Sequence, residues 1–218
     1  GVVLFGFSAF APADLRLATA RVLARGRARF KPACGIGGRG QTVITSAADL
    51  EALLDNIDPA ELALYGAVIE QNFDRIETYS VGQTSVADLL ATYYGRQLLT
   101  RDNRDVTVYG GSDLTVVRGD YDDLLRLELP PQARWAINNA RTYEAAASRA
   151  FAGWLASRRN YDVAQVVEDD GRRSCGVLEQ SWRIGGASAA EIAALEAFRA
   201  DPSLRSARAA CIELYGEH

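Results

Sequence analysis

Tyr161-Asp-Val-Ala-Gln-Val-Val167, Glu168-Asp-Asp-Gly171 and Cys175-Gly-Val-Leu-Glu-Gln-Ser-Trp-Arg183 read in order as strand, turn and strand. The outer segments are β-prone, and the acidic tetrad ending in glycine carries turn chemistry. On the second strand Glu179, Ser181 and Arg183 fall on one face, because strand side chains alternate. Asp162 lies 17 positions before Glu179, nine to Gly171 and eight back, so the two carboxylates come out nearly opposite. Cross-strand neighbours approach closely enough to share a ligand. Two carboxylates that close repel one another unless a cation lies between them. Mg²⁺ carrying nucleotide phosphates fills such a place economically, and Arg183 is then placed to steady a phosphate oxygen. The plainer alternative is a surface hairpin whose Glu and Arg form a weak exposed pair.

The rest of the composition narrows the chemistry. The 218 residues are 48% hydrophobic and 24% charged, as in an ordinary globular protein. A net charge of −4 with scattered basic residues argues against a nucleic-acid surface. The one basic run, Arg21, Arg25, Arg27, Arg29 and Lys31, is local and suits a solvated helix end or an anionic ligand. Three cysteines without a CxxC pair suggest reduced thiols and a cytoplasmic location. The sole histidine is His218, which removes His-based metal sites and Ser–His–Asp or Cys–His catalysis. A metal must therefore be held by oxygen, pointing to Mg²⁺ or Mn²⁺. No apolar run approaches the roughly 20 residues of a membrane span. With no methionine in it, the chain reads as a piece of a longer protein lacking an N-terminal portion.

Outward from the hairpin, Pro12 opens a helix with Leu15, Ala18, Val22 and Leu23 at helical spacing, closed by Gly26. Strands are expected at 28–31 and 41–45, and Ser46-Ala-Ala-Asp49 starts a helix to Leu54 as a capping box. Further strands are expected at 66–70 and 76–82. Two long strands at 86–100 and 106–117 flank the turn Arg101–Asp105, with a bulge at Gly110-Gly111. Pro130-Pro131 precedes an Ala-rich helix to about Ser157, and Ser188-Ala-Ala-Glu191 reads as a second capping box. The class is α+β with mainly antiparallel strands.

Gly35-Ile-Gly37-Gly38-Arg-Gly40 matches G-x-G-x-x-G. In a dinucleotide-binding unit the last glycine opens a helix, whereas here Gln41-Thr-Val-Ile-Thr45 continues as a strand. A Walker loop is excluded by the lack of Gly-Lys-Ser/Thr. The segment instead suits a glycine-rich hairpin that lets backbone N–H groups reach phosphate oxygens, with Lys31 adding charge beside it. A surface loop with a snorkelling lysine is the alternative.

Phe30-Lys31-Pro32 with its glycine loop, Val68-Ile69-Glu70-Gln71-Asn72-Phe73, Asp162 and Leu178-Glu179-Gln-Ser181-Trp-Arg183 together resemble the ATP-grasp superfamily in order and approximate spacing. The stretch Leu178 to Ser188 resembles more closely an uncharacterised bacterial ATP-grasp-like family of unknown function. The resemblance implies an ATP-grasp fold of two α+β lobes across residues 1–218, without the preceding domain. The smaller nucleotide-lid lobe would span about 28–75 and the larger metal and substrate lobe about 76–218. It implies ATP and Mg²⁺, or Mn²⁺, as cofactors. Lys31 would contact the α- and β-phosphates, and Gly35, Gly37, Gly38 and Gly40 would close over the nucleotide. Glu70, Gln71, Asn72 and Phe73 would offer backbone groups to adenine, and Glu77 would serve the ribose or support the site as a carboxylate one bond removed. Asp162 and Glu179 would hold the metal, with Ser181 standing where the family carries Asn. Arg183 would steady a phosphate or acyl-phosphate oxygen; Arg118, in Val116-Val-Arg-Gly119, is a candidate for the substrate or the γ-phosphate, with a solvated strand-end residue as the alternative.

The reaction so implied is ATP-dependent ligation. A small-molecule carboxylate becomes an acyl-phosphate, and an amine or thiol displaces phosphate from it. A phosphotransferase on the same scaffold and a non-catalytic nucleotide-sensing module are the alternatives.

Overall fold

A computed structural model describes residues 1–34, 40–168 and 170–216, and the chain divides into two compact units. One is Leu4–Arg75; the other is Gly1–Val3 with Ile76–His218.

The smaller unit runs β1 (Gly6–Ala9), α1 (Pro12–Leu23), β2 (Ala28–Pro32), β3 (Thr42–Ile44), α2 (Ala47–Leu54), α3 (Pro59–Tyr65) and β4 (Ala67–Gln71). Its sheet has the order β1-β4-β2-β3, with antiparallel neighbours throughout. The unit begins at Leu4, well before residue 28, because β1 pairs with β4 from Gly6↔Glu70 to Ala9↔Ala67. Ala28, Phe30, Ile44, Ala67 and Ile69 turn from the sheet onto Leu15, Ala18 and Val22 of α1. Burying a side chain of Leu or Ile size contributes roughly 1.5–3 kcal/mol. Ser46 and Asp49 form the expected capping box, Asp49 N–H donating to Ser46 Oγ at 3.2 Å and Ser46 N–H to Asp49 Oδ2 at 3.0 Å. The Asp58-Pro59 start of α3 was not anticipated; Asp58 Oδ1 accepts Ala60 N–H at 2.8 Å.

The larger unit runs β5 (Ile76–Val86), β6 (Leu89–Arg101), β7 (Thr107–Arg118), α4 (Tyr121–Leu125), α5 (Pro131–Ala150), β8 (Arg158–Val167), β9 (Arg173–Ser181), α6 (Ser188–Ala200) and β10 (Ser206–Ile212). Its sheet has the order β10-β7-β6-β5-β8-β9, again antiparallel. The bulge expected at Gly110-Gly111 is present, with Leu98 facing Gly111 and Leu99 facing Tyr109. α5 ends at Ala150, short of Ser157, and the chain turns through Gly153 at φ +78°. Ser188 is no capping box partner for Glu191, because its Oγ accepts Gly185 N–H at 3.0 Å while Glu191 turns inward to Arg158.

Each face of this sheet has its own core. Tyr79, Val81, Tyr161, Val163, Cys175 and Val177 pack with Ala133, Ile137 and Ala140 of α5. On the other face Tyr93, Leu114 and Val116 pack with Ala190, Ala194 and Phe198 of α6. Among the described residues no helix is long and apolar enough to cross a membrane.

Candidate functional site

In the smaller unit, strand alternation sorts β2 into two roles. Ala28 and Phe30 enter the core, so Arg29 and Lys31 take the opposite face. Lys31 Nζ lies 2.5 Å from Glu70 Oε1, with side chains only 19% and 11% exposed. Gly6 faces Glu70 from β1, and a Cβ there would stand 2.8 Å from Glu70 Cβ. Glycine at position 6 therefore makes the room that Glu70 occupies.

Arg29 was read only as one member of a basic run, yet it organises this face. Its Nε and Nη2 donate to Asn72 Oδ1 at 2.9 and 2.6 Å, and its Nη1 to Gln41 Oε1 at 3.1 Å. Its period-two spacing from Lys31 was the signal that could have found it. The backbone donors expected at adenine are partly used within the unit. Gln71 N–H donates to Phe5 O at 2.9 Å and Asn72 N–H to Arg27 O at 2.8 Å. Phe73 follows β4, half-buried. Gly40 has φ +78°, which suits glycine. Gly35, Gly37 and Gly38 lie outside the described residues.

In the larger unit, Asp162 and Glu179 are direct cross-strand partners, and Asn160 faces Ser181. A bulge produces this. Val163 faces Val177, so unbroken pairing would set Asp162 against Leu178 and leave Glu179 alternating with Val177 toward α5. The register shift between Asp162 and Val163 makes Leu178 the extra residue and moves Glu179 to the face of Asp162. Gln180 then takes the α5 side, where Tyr143 OH donates to its Oε1 at 2.8 Å. Glu179 is exposed and Asp162 half-buried.

Two residues not anticipated from the sequence support this pair. Asn160 Nδ2 donates to Asp162 Oδ1 at 2.9 Å, and Tyr93 OH donates to Asn160 Oδ1 at 3.1 Å. Burial, with Glu191 and Asp162 nearby, pushes the Tyr93 phenol well above its ordinary range, so it stays protonated. Glu191, fully buried, takes Arg158 Nε and Nη2 at 2.6 Å. Burial raises the Glu191 carboxyl, outweighing what Arg158, Thr84 and Tyr93 do to lower it.

Other expected site residues go elsewhere. Glu77 alternates with Ser80, the β5 partner of Asp162, and so faces away from it; its Oε1 lies 2.9 Å from Arg96 Nη2. β9 ends at Ser181, so Arg183 does not continue the face of Glu179; it is exposed, and Nη1 donates to Ile184 O at 2.9 Å. Arg118 is tied into α6: Nη2 donates to Phe198 O, Nε reaches Leu204 O at 3.4 Å, and the guanidinium lies over the Phe198 ring. A cation satisfying carbonyls at a helix C-terminus is a packing role.

The donor set fits a hard divalent cation. Asp162 and Glu179 bring carboxylates, and among the described residues nothing hydrogen-bonds the buried Ser181 Oγ. No cluster of three or more His, Cys, Asp or Glu occurs among the described residues. Mg²⁺ needs no such cage, since one or two carboxylates with phosphates and water complete its shell.

The two-sheet α+β architecture is the ATP-grasp fold. The structure resembles an ADP complex of N5-carboxyaminoimidazole ribonucleotide synthetase, with a TM-score of 0.50 and 16% identity over 88% of this chain and 43% of that one. It is also similar to D-alanyl-alanine synthetase A from Vibrio cholerae, with a TM-score of 0.47 and 12% identity over 81% and 48% of the two chains. The ATP-grasp ligase PsnB with its minimal precursor follows at a TM-score of 0.43 and 16% identity, over 84% and 48%. The chain thus spans less than half the length of these proteins. It belongs to the protein family of unknown function DUF3182, which matches residues 1–218. No curated protein matches it in sequence.

Proposed function

We propose that this protein is an Mg-ATP-dependent ligase that joins a small-molecule carboxylate to an amine or thiol through an acyl-phosphate. The observation that carries the reading is the pairing of Asp162 with Glu179, two carboxylates set opposite one another by a bulge. Like charges so placed are relieved by a cation, and Mg²⁺ is bound this way when nucleotide phosphates supply further oxygens. Such an ion neutralises charge developing on a phosphoryl group.

The chain's own residues then divide the work. Asp162 and Glu179 hold the cation, with Ser181 Oγ as a neutral oxygen beside them. Lys31 serves the α- and β-phosphates by exchanging part of its contact with Glu70, and the loop ending at Gly40 supplies backbone donors. The hinge from Glu70 to Phe73 takes the adenine through the backbone groups not already paired. Arg183, exposed at the end of β9, is the cation available to the acyl-phosphate. Catalysis on this reading is positioning and charge neutralisation. The three unpaired cysteines accord with a cytoplasmic setting.

The test is an ATP-consumption screen of the full-length protein against pooled carboxylates and amines or thiols, read by mass spectrometry. A new amide or thioester with free phosphate is the expected product. A phosphorylated acceptor would make the protein a phosphotransferase. ATP binding without turnover in any pool would favour a nucleotide-sensing module, the reading that Ser181 in place of Asn supports.

A further inference from the structure

The acidic pair lies at one end of a polar chain that crosses the sheet, and this chain rests on the reading of Asp162 and Glu179 as a cation site. Its members come from three strands. Tyr93 lies on β6, Asn160 on β8, and β5 runs between them. In register Gly82 of β5 faces Tyr93 on one side and Asn160 on the other. A Cβ at Gly82 would stand 2.4 Å from Tyr93 OH. The tyrosine therefore reaches over a strand at the one residue without a side chain, and its hydroxyl meets Asn160 Oδ1 at 3.1 Å.

The Asp162 carboxylate, which only accepts, settles the carboxamide, and Tyr93 then anchors its oxygen. A phenol donor on Oδ1 leaves Nδ2 to face Asp162 Oδ1, at 2.9 Å. The reverse orientation would bring amide and carboxylate oxygens together and lose the bond to Asp162, while the phenol oxygen would accept from N–H₂ instead. Tyr93 is itself held, 1% exposed under α6.

We infer that Asn160 and Tyr93 are positioning residues for the acidic pair: Tyr93, passing over Gly82, anchors the Asn160 carboxamide, which holds Asp162 in place opposite Glu179. Asn160 acts on the cation through Asp162, and Tyr93 acts through Asn160. Partners of this kind, one bond removed from a metal, commonly change its affinity about 10–100-fold when lost.

The experiment measures Mn²⁺ binding by electron paramagnetic resonance, with and without ATP, in the full-length protein and in Tyr93→Phe, Asn160→Ala and their double variant. Thermal unfolding of each is recorded beside it. Asn160→Ala is expected to weaken Mn²⁺ binding about tenfold or more. Tyr93→Phe, which keeps the ring and removes only the hydroxyl, is expected to weaken it severalfold. The double variant should be no weaker than Asn160→Ala, because the two residues act in series. Gly82→Ala, which obstructs the phenol, should resemble Tyr93→Phe if it folds. Wild-type affinity in Asn160→Ala or Tyr93→Phe would overturn the inference while leaving the cation site standing, as would additive losses in the double variant. A lower unfolding temperature with unchanged Mn²⁺ affinity would assign these residues to stability alone and overturn it equally. If the wild-type protein fails to bind Mn²⁺ even with ATP, the cation site falls and the inference with it.

Discussion

The two units solve opposite electrostatic problems. In the smaller one, Lys31 is matched to Glu70 across neighbouring strands, and its charge is balanced by the fold itself. In the larger one, Asp162 and Glu179 bring the same charge to opposite positions of a hairpin. The first arrangement is stable without a ligand, and a phosphate must compete with Glu70 for the lysine. The second, on the proposed reading, is the arrangement that a cation would relieve. An ion pair inside a sheet is by itself weak evidence of function, because such pairs also serve structure. Two facing carboxylates have no comparable structural use.

Substitutions can break this contrast. The largest effect is expected for Glu179→Ala: Mg²⁺-dependent turnover of ATP should fall on the order of 100-fold or more, as for other lost transition-state electrostatic groups. The unfolding temperature should stay near wild type, since Glu179 is exposed. Unchanged turnover would remove the cation site. Next is Arg158→Met, which strands the fully buried Glu191 carboxylate. A loss of about 3–5 kcal/mol in urea unfolding is expected, marking this ion pair as structural.

Lys31→Met sharpens the comparison within the smaller unit. It should destabilise the protein by roughly 3 kcal/mol, because Glu70 is left nearly buried and unmatched. Adding Glu70→Leu should restore most of that stability, since an apolar pair can replace a buried ion pair. ATP affinity should stay low in the double variant, measured by calorimetry; recovery of affinity with stability would make Lys31 structural. The smallest effect is Ser46→Ala at the α2 capping box, about 1 kcal/mol by chemical denaturation, with ATP affinity unchanged.

How much of this was legible in the sequence depended on how local the determinant was. The hairpin from Tyr161 to Ser181 could be counted because its strands adjoin one turn. The count left Asp162 and Glu179 one position from true register, and the bulge at Leu178 supplied that position. Lys31 and Glu70 were each noticed, but their contact depends on β4 pairing with β2 across a sequence separation of 39, 70 minus 31. Ser188-Ala-Ala-Glu191 has capping-box spacing, yet Arg158, distant in sequence, draws Glu191 inward. The contacts of Arg118 with Phe198 O and Leu204 O are equally distant in sequence and could not be read beside Gly119. Tyr93 and Asn160 left no local trace because their contact crosses an intervening strand.

The bulge at Leu178 also makes the chemistry of the hairpin a matter of parity. Removing Leu178 would place Glu179 directly after Val177, so an unbroken ladder would run from Val163 opposite Val177 to Asp162 opposite Glu179 and keep the two carboxylates on one face. Gln180 would still face Tyr161 and keep its bond from Tyr143, and the acidic pair would survive the loss. Straightening the bulge with Leu178 in place would instead set Asp162 against Leu178 and part the carboxylates, so in this strand the residue count carries as much chemical information as the residue types.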